Sequence, residues 1–300
     1  MEAPDQPVTA RGPSILLGLM TSDERSRAPE LAPFPSAVLE ALELCEDPDA
    51  QPKDVVALVQ HDPMIAARML RLVNSSVFGL LREVQDLEEA SNYLGLDALA
   101  ETALAAAYAM QHQNQGYLRA KDADYLWSRA MAHGLAARLV AENTPEVPPS
   151  RAFLAGLLES IGLLWVFQSV PSRFHERVQL LLDRGCSPRA AQSLVLRCDH
   201  LQRGAQLLKA WSLPEYVWQT LEDLREPRGV ARNPDLHRVL RRAGGLASEL
   251  LLSRNIATRE RLWTLTPAWA WWNGQPGRDR AGADPLLPEL QTRFDELSQL

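Results

Sequence analysis

The sequence of 300 residues lacks the features that mark several common classes of protein. It contains no run of about 18 or more apolar residues, so we expect no transmembrane helix. Its acidic N-terminus lacks the basic and then apolar segments of a secretory signal. A glycine-rich phosphate loop, a GxGxxG motif after a strand and a GxSxG nucleophile motif are all missing. These absences argue against a membrane protein, a secreted protein, a P-loop nucleotidase and a serine hydrolase, and they predict a cytoplasmic location.

Cysteine and positive charge are also scarce. The three cysteines, Cys45, Cys186 and Cys198, have no CxxC spacing, which favours reduced thiols over a disulfide or a zinc site. The chain has 31 Lys and Arg against 38 Asp and Glu, for a net charge of −7. A surface of this charge argues against non-specific binding to nucleic acid or to an anionic membrane. We therefore expect no nucleic-acid partner and no membrane insertion.

Short helices with clear start and stop signals fill most of the sequence, and no useful strand-like alternation is present, so we predict an all-α fold. The first 13 residues carry three prolines and predict a disordered lead-in. We place an N-terminal helical part at about 14–115 and a second part at about 120–300, separated by a polar stretch. A content of 46% hydrophobic residues is enough for a large core.

One stretch, 151–167, is apolar at almost every position. A helix that is apolar on all sides is buried on all sides, so we expect a central core helix of about sixteen residues. Its two polar residues, Glu159 and Ser160, lie side by side in the middle. A buried carboxylate is costly unless it is paired, metal-bound or protonated, and the role of this pair is therefore the main functional question.

The pattern around these residues, Ala-Gly-Leu-Leu-x-x-Ile-Gly at 155–162, resembles the core helix of HD-superfamily phosphohydrolases. In that superfamily the two x positions are a metal-binding His and Asp. A second and more specific resemblance is to the HDOD (HD-related output domain) family. It covers about 80 residues of the first part, weakens after about residue 225 and runs to the end of the sequence, which implies one HDOD domain over residues 14–300. Its motif positions in the first part include Asp62, Pro63, Asn74, Ser75 and Gly79. The resemblance implies an all-α, HD-domain-like multi-helix bundle, and HDOD proteins typically lack the metal ligands and serve bacterial signal transduction.

The positions that would hold metal in HD phosphohydrolases carry few ligands here. By resemblance, the first His falls near Arg129, the His-Asp pair at Glu159 and Ser160, and the late Asp near Gly244. Only His200 keeps a ligand-capable side chain at a motif position. One imidazole and one carboxylate do not make a two-metal hydrolase site, so we expect neither a metal nor another cofactor. His61-Asp62 is a literal His-Asp dipeptide, but Pro63 follows it, and we interpret Asp62 as a helix cap.

A sharper hypothesis concerns Arg129 and Glu159. We predict that the two side chains form an ion pair that fills the former metal cavity, because a guanidinium fork suits two-point contact with a carboxylate. The alternative is an exposed Arg129 and a Glu159 that bonds to backbone. His133 lies four residues after Arg129 on the same helical face and is able to approach Glu159, although a packed or surface histidine is the favoured interpretation.

Other residues allow two interpretations each. Asn74 and Ser75 either terminate a helix and bond to backbone, which we favour, or form a partner surface. Four tryptophans, Trp263, Trp269, Trp271 and Trp272, form either a lid packed on the core, which we favour, or an aromatic surface for a partner. Gly156 and Gly162 predict close helix packing rather than approach of a ligand.

These observations predict a non-catalytic regulatory or scaffold protein of bacterial signal transduction that acts through contacts with unidentified signalling proteins. A homo-oligomer is left open. The alternatives are a divergent metal-dependent phosphohydrolase of the HD type and a nucleotide-binding receptor that uses the vacated cavity.

Overall fold

The computed structural model describes residues 20–23, 31–75, 78, 80, 82–111, 120–225, 231–254 and 284–297. Within these ranges all regular secondary structure is helical, which confirms the predicted all-α fold. The predicted lead-in, residues 1–13, lies outside them, and so does most of the predicted junction between the two parts. The division into two parts therefore stays a prediction.

The helices of the described ranges follow one another with short connections. In chain order they are α1 (Ser36–Glu43, continued by a 3-10 turn at Leu44–Glu46), α2 (Pro52–Val59), α3 (Pro63–Val73), α4 (Leu87–Ser91), α5 (Leu96–Gln111), α6 (Ala120–Glu142), α7 (Pro149–Leu158), α8 (Ile161–Ser169), α9 (Ser172–Asp183), α10 (Pro188–Leu196), α11 (His200–Ala210), α12 (Glu215–Arg225), α13 (Pro234–Ser253) and α14 (Leu287–Leu297).

Several helix starts follow directly from local sequence. The side chain of Asp62 accepts hydrogen bonds from the backbone N–H groups of Met64 and Ile65 at 2.9 and 3.2 Å, and Pro63 occupies the first helical position of α3. Ser187 and Asp199 cap α10 and α11 in the same way. Each cap satisfies an N–H group that has no partner within its helix. The interpretation of His61-Asp62 as part of a helix start is confirmed.

Buried apolar side chains from Met20 to Phe294 form a continuous core. Its centre is α6, which packs along α7 and α13 and also contacts α8 and α14. The first four helices pack mainly on α5 or on one another, and α5 in turn contacts α7. The helices α8 and α11 cross, and α11 lies along α12. The α6–α7 pair therefore connects the N-terminal helices to the rest of the fold.

The central apolar stretch differs from the single helix predicted from the sequence. It forms two helices, α7 and α8, with an interruption at Glu159 and Ser160. At the interruption the carbonyl oxygen of Ser160 accepts from both Leu163 and Leu164, at 3.0 and 3.1 Å. The whole segment, Pro149–Ser169, has 21 residues and is longer than predicted. Its most apolar 18-residue window has a mean hydropathy of 1.5, so that by length and composition the segment could cross a membrane. That window is, however, entirely buried inside the fold.

Two glycines let the halves of this segment contact different helices. A Cβ on Gly156 would lie 2.6 Å from the carbonyl oxygen of His133 on α6. A Cβ on Gly162 would overlap the carbonyl oxygen of His200 on α11 and lie 2.8 Å from the backbone nitrogen of Gly204. The predicted role of both glycines in close helix packing is confirmed. The polar pair at 159 and 160 is thus held between backbones that touch on both sides.

We expect Gly162→Ala to lower the free energy of unfolding by about 3 kcal/mol or more, because the added methyl meets rigid backbone rather than a movable side chain. Urea unfolding followed by circular dichroism measures the change. Gly95→Ala is the control, because Gly95 is exposed with no atom within 4 Å of an added Cβ, and it should alter stability by about 0.5 kcal/mol or less. Equal stability of the two variants would contradict this packing.

A second buried carboxyl lies where α5 meets α7. Glu101 of α5 is 5% exposed, and its Oε2 atom has no hydrogen-bond partner among the described residues. Burial, and then the charge of Asp97 one turn earlier, raise the pKa of Glu101 to about 8, against opposing effects of Ser150, Arg138 and Arg151. The folded protein therefore holds a proton on Glu101 over a pH range in which an unfolded chain has released it.

The raised pKa of Glu101 makes the free energy of unfolding depend on pH. Because the folded pKa lies above the unfolded value, the folded state binds the extra proton and loses stability as the pH rises from about 4.5 to about 8. We expect Glu101→Gln, which keeps the shape of the protonated acid, to become progressively more stable than the wild type over that range. Thermal unfolding at several pH values measures the difference. Glu43→Gln, at an exposed position on α1, should give parallel curves.

Candidate functional site

A buried ion pair occupies the place where α6 passes the interruption between α7 and α8. Arg129 of α6 is fully buried and donates through Nη1 to Oε2 of Glu159 at 2.8 Å and through Nη2 to Oε1 at 3.4 Å. Its Nη1 also donates to the hydroxyl of Ser160. The predicted Arg129–Glu159 pair is confirmed, and the alternative of an exposed arginine is wrong. Two-point contact of this kind fixes the guanidinium in one orientation.

His133 is a third member of the cluster. It lies one turn after Arg129 on α6 and donates from Nδ1 to Oε2 of Glu159 at 3.1 Å. His133 is buried, as the favoured interpretation of a packed or surface histidine allowed, and its predicted ability to approach Glu159 from the four-residue spacing is confirmed. With its proton on Nδ1, His133 adds a hydrogen bond to the carboxylate without adding a charge.

The electrostatics of the cluster keep Glu159 ionised. Burial alone would raise the pKa of its carboxyl, but Arg129 and His133 lower that pKa well below its usual value. Burial opposes the charge on Arg129 as well, yet the attraction of Glu159 raises the pKa of the guanidinium. Burial and the charge of Arg129 lower the pKa of His133, so its imidazole is neutral near pH 7. The cluster is thus an internally neutral set of one cation and one anion.

His200 lies at the start of α11, fully buried. Its backbone N–H and its Nδ1 both donate to Oε1 of Gln192, at 3.0 and 2.8 Å, which leaves the lone pair on Nε2. Nε2 is buried and has no hydrogen-bond partner in the described ranges. Burial is the main cause that lowers the pKa of His200 to about 4. Sequence reasoning missed Gln192, for which no motif gives a signal.

The residues of this site do not fit a metal centre of the HD type. Arg129, near which the sequence resemblance puts the first ligand, carries a positive charge that already neutralises Glu159. Gly244 lies buried within α13 and offers no side chain. His200 supplies one free imidazole lone pair. In the part of the chain that the structure describes, no three His, Cys, Asp or Glu side chains are grouped so that they could hold a metal ion.

The motif residues of the first part have structural roles. Asn74 ends α3, and its amide both donates to the carbonyl oxygen of Val84 at 2.9 Å and accepts from the Val84 N–H at 2.8 Å. The hydroxyl of Ser75 donates to the carbonyl oxygen of Leu72. Both contacts are side chain to backbone, as the favoured interpretation predicted. Asp62 and Pro63 begin α3, as described above. Gly79 lies outside the described residues.

The described surface has a groove and several exposed apolar side chains. A groove of about 470 Å³ lies between α2, α3 and the start of α4. Its lining residues are Val56, Gln60, Ala66, Ala67, Leu70, Gln85, Asp86, Leu87 and Glu88. Large apolar side chains are also half exposed on α3, α9 and α10, at Met64, Leu180 and Leu194. The predicted tryptophan cluster, Trp263, Trp269, Trp271 and Trp272, lies outside the described residues, so the choice between lid and partner surface stays open.

Solved structures share this fold and define its class. An HDOD domain protein with unknown function from Geobacter sulfurreducens is 24% identical, with a TM-score of 0.69 over 96% of this chain and 98% of that one. A candidate phosphohydrolase from Shewanella amazonensis SB2B is 22% identical, with a TM-score of 0.67 over 94% and 99%. A candidate signal transduction protein from Marinobacter aquaeolei VT8 is 25% identical, with a TM-score of 0.56 over 93% and 59%. These similarities show that the chain has the same all-helical fold as an HDOD domain protein.

The family follows from the sequence match. Residues 31–227 match the HDOD domain, which is about two thirds of the chain, and the chain therefore belongs to the HDOD family. An uncharacterized protein from Treponema pallidum (strain Nichols) is 27% identical over 196 residues, which cover 65% of this chain. The chain spans only 37% of the length of that relative. The resemblance predicted from the residues is confirmed.

We expect Arg129→Met to lower the free energy of unfolding by about 3–5 kcal/mol, because it leaves the Glu159 carboxylate buried without its cation. The double variant Arg129→Met/Glu159→Gln should recover much of that loss, since a neutral amide still accepts the hydrogen bond from His133. Chemical unfolding of the wild type, both single variants and the double variant measures the coupling. Additive losses in the double variant would contradict an ion pair at this site.

Proposed function

We propose that this HDOD protein is a non-catalytic regulatory or scaffold protein of bacterial signal transduction that acts through contacts with other proteins. The observation that carries the proposal is the Arg129–Glu159 pair, with Arg129 fully buried and 2.8 Å from the carboxylate. By the resemblance, Arg129 falls near the position that supplies the first metal ligand in hydrolases of the HD type, where the metal would activate water. Here Arg129 instead binds Glu159 and Ser160, and His133 binds Glu159.

Similarity to a candidate signal transduction protein supports the regulatory part of the proposal. Similarity to a candidate phosphohydrolase supports the competing proposal, a divergent phosphohydrolase. The open groove between α2, α3 and α4 and the exposed Met64 on α3 offer a contact surface. A surface of this kind binds through apolar side chains at its centre and polar ones at its rim. We further propose a cytoplasmic location, in line with the acidic composition.

We expect the purified protein to contain no stoichiometric manganese, iron or zinc and to hydrolyse no phosphodiester in the presence of added Mn²⁺. Elemental analysis and an assay with bis(p-nitrophenyl) phosphate make the two measurements. Bound metal together with turnover that disappears in Glu159→Gln would overturn the proposal and favour the divergent phosphohydrolase. Turnover that persists equally in Glu159→Gln would indicate a contaminating enzyme rather than this site.

The contact part of the proposal has its own test. We expect affinity capture from the native host to retain a signalling protein. If that protein binds at the surface formed by the groove between α2, α3 and α4 and the exposed Met64, Met64→Glu should abolish the capture. Leu194→Glu introduces the same charge at an exposed leucine on α10 and is the matched control. Loss of capture in the Leu194 variant alone would instead place the contact surface at α10.

A further inference from the structure

The outward face of α9 carries an exposed leucine at its centre. The opposite face of this helix buries Phe174 and Val178, and α9 packs on α10. Leu180 is 50% exposed and is one of four exposed large apolar side chains among the described residues. A single exposed leucine is common on protein surfaces, so its meaning depends on the residues around it.

Two rows of opposite charge flank Leu180 on this face. Glu176 and Asp183 lie seven residues apart, and so do Arg177 and Arg184; all four are exposed. Residues seven apart on a helix lie almost in line, two turns from each other. Leu180 follows Glu176 by four residues and Arg177 by three, so it lies between the two lines. The face therefore has an acidic row on one flank, a basic row on the other and a leucine between them.

The charges of both rows are not neutralised within the chain. In the ranges that the structure describes, none of the four residues forms an ion pair, and Asp183 accepts from the neutral amide of Gln179 at 2.9 Å. Neighbouring positions such as 176 and 177 do not face each other on a helix, so the two rows stay separate. Arg173, at the start of α9, and Arg177 lie 4.7 and 6.0 Å from the ring of Phe174, a contact that leaves their charge in place. Both rows are therefore available to charges on another molecule.

We propose that α9 is a contact surface between two copies of this chain, whose α9 helices pack side by side and parallel about a two-fold axis. A two-fold contact needs a self-complementary surface, in which each pairwise contact occurs twice. Opposite flanks face each other when two parallel helices pack, whereas like flanks face each other when two antiparallel helices pack. Of the two arrangements, only the parallel one sets the acidic row of each copy against the basic row of the other.

The size of this contact sets its strength. Glu176 faces Arg177 of the second copy. Asp183 faces Arg184 of the second copy, and Leu180 meets its own counterpart. Because α9 has 12 residues and is about 18 Å long, one of its faces buries less than the roughly 800 Å² per partner of a standard interface. Exposed ion pairs contribute little each, so we expect weak association that depends on concentration.

This contact goes beyond the proposed regulatory function. It lies on a different helix from the groove between α2, α3 and α4, and its partner is a second copy of the chain rather than a signalling protein. Failure of the contact would therefore leave the proposed function standing, and the reverse also holds.

Two charge variants of the full chain test the contact. Glu176→Arg/Asp183→Arg makes both rows basic, and Arg177→Glu/Arg184→Glu makes both rows acidic. We expect sedimentation equilibrium from micromolar to millimolar concentration to show a monomer–dimer equilibrium for the wild type, weakened about tenfold or more in each variant alone. A one-to-one mixture of the variants should restore dimers, because a basic face then meets an acidic one. Both variants stay net negative, since the wild type carries −7, so overall attraction between them does not explain such a rescue.

Glu176→Gln tests the orientation of the two helices. In the parallel arrangement this change removes an ion pair on each side of the axis and should weaken association. If like rows faced each other, the change would instead relieve repulsion between carboxylates. Stronger association of Glu176→Gln would therefore overturn the parallel arrangement.

The control is Glu40→Arg/Glu43→Arg on α1, which makes the same change of charge at two exposed positions and should leave the equilibrium unchanged. A wild type that stays monomeric at millimolar concentration would overturn the proposal. A mixture of the two α9 variants that associates no better than either alone would also overturn it. An equal loss of association in the α1 variant would do the same, because association would then depend on overall charge.

Discussion

A charged guanidinium in a protein interior is stabilised by a neighbouring anion, and Glu159 is that anion for Arg129. Ser160 and His133 complete the arrangement: the hydroxyl accepts from the cation, and the neutral imidazole donates to the anion. The four groups therefore neutralise one another and form hydrogen bonds among themselves in the middle of the fold.

The backbone packing and this cluster depend on each other. Gly156 seats α7 against the carbonyl oxygen of His133, the residue whose side chain contacts Glu159. Gly162 seats α8 against His200, whose Nδ1 is bound to Gln192. The interruption at Glu159 and Ser160 falls between these two contacts. Neither glycine leaves room for movement. A displacement of α6 would therefore be transmitted to the ion pair through α7, and a displacement of α11 through α8.

Much of this arrangement was predictable, and the remainder has physical reasons for being hidden. Caps such as Asp62-Pro63 and Ser187-Pro188 are local, so the sequence alone predicted them. The Arg129–Glu159 pair followed from the cost of burying a lone carboxylate. The interruption at Ser160 was missed because apolar content reports burial, not the continuity of a helix. The contacts of Asp199 with Arg189 and Arg225 were missed because the three residues lie 10 to 36 residues apart and meet only where α10, α11 and α12 come together.

The buried pair also constrains how this lineage can change. Replacing Arg129 alone leaves a buried carboxylate without its cation, and replacing Glu159 alone leaves a buried guanidinium without its anion. Either single replacement costs a large part of the free energy of unfolding of an ordinary domain. Positions 129 and 159 can therefore change without a large loss of stability only if both change together, although they lie 30 residues apart on different helices.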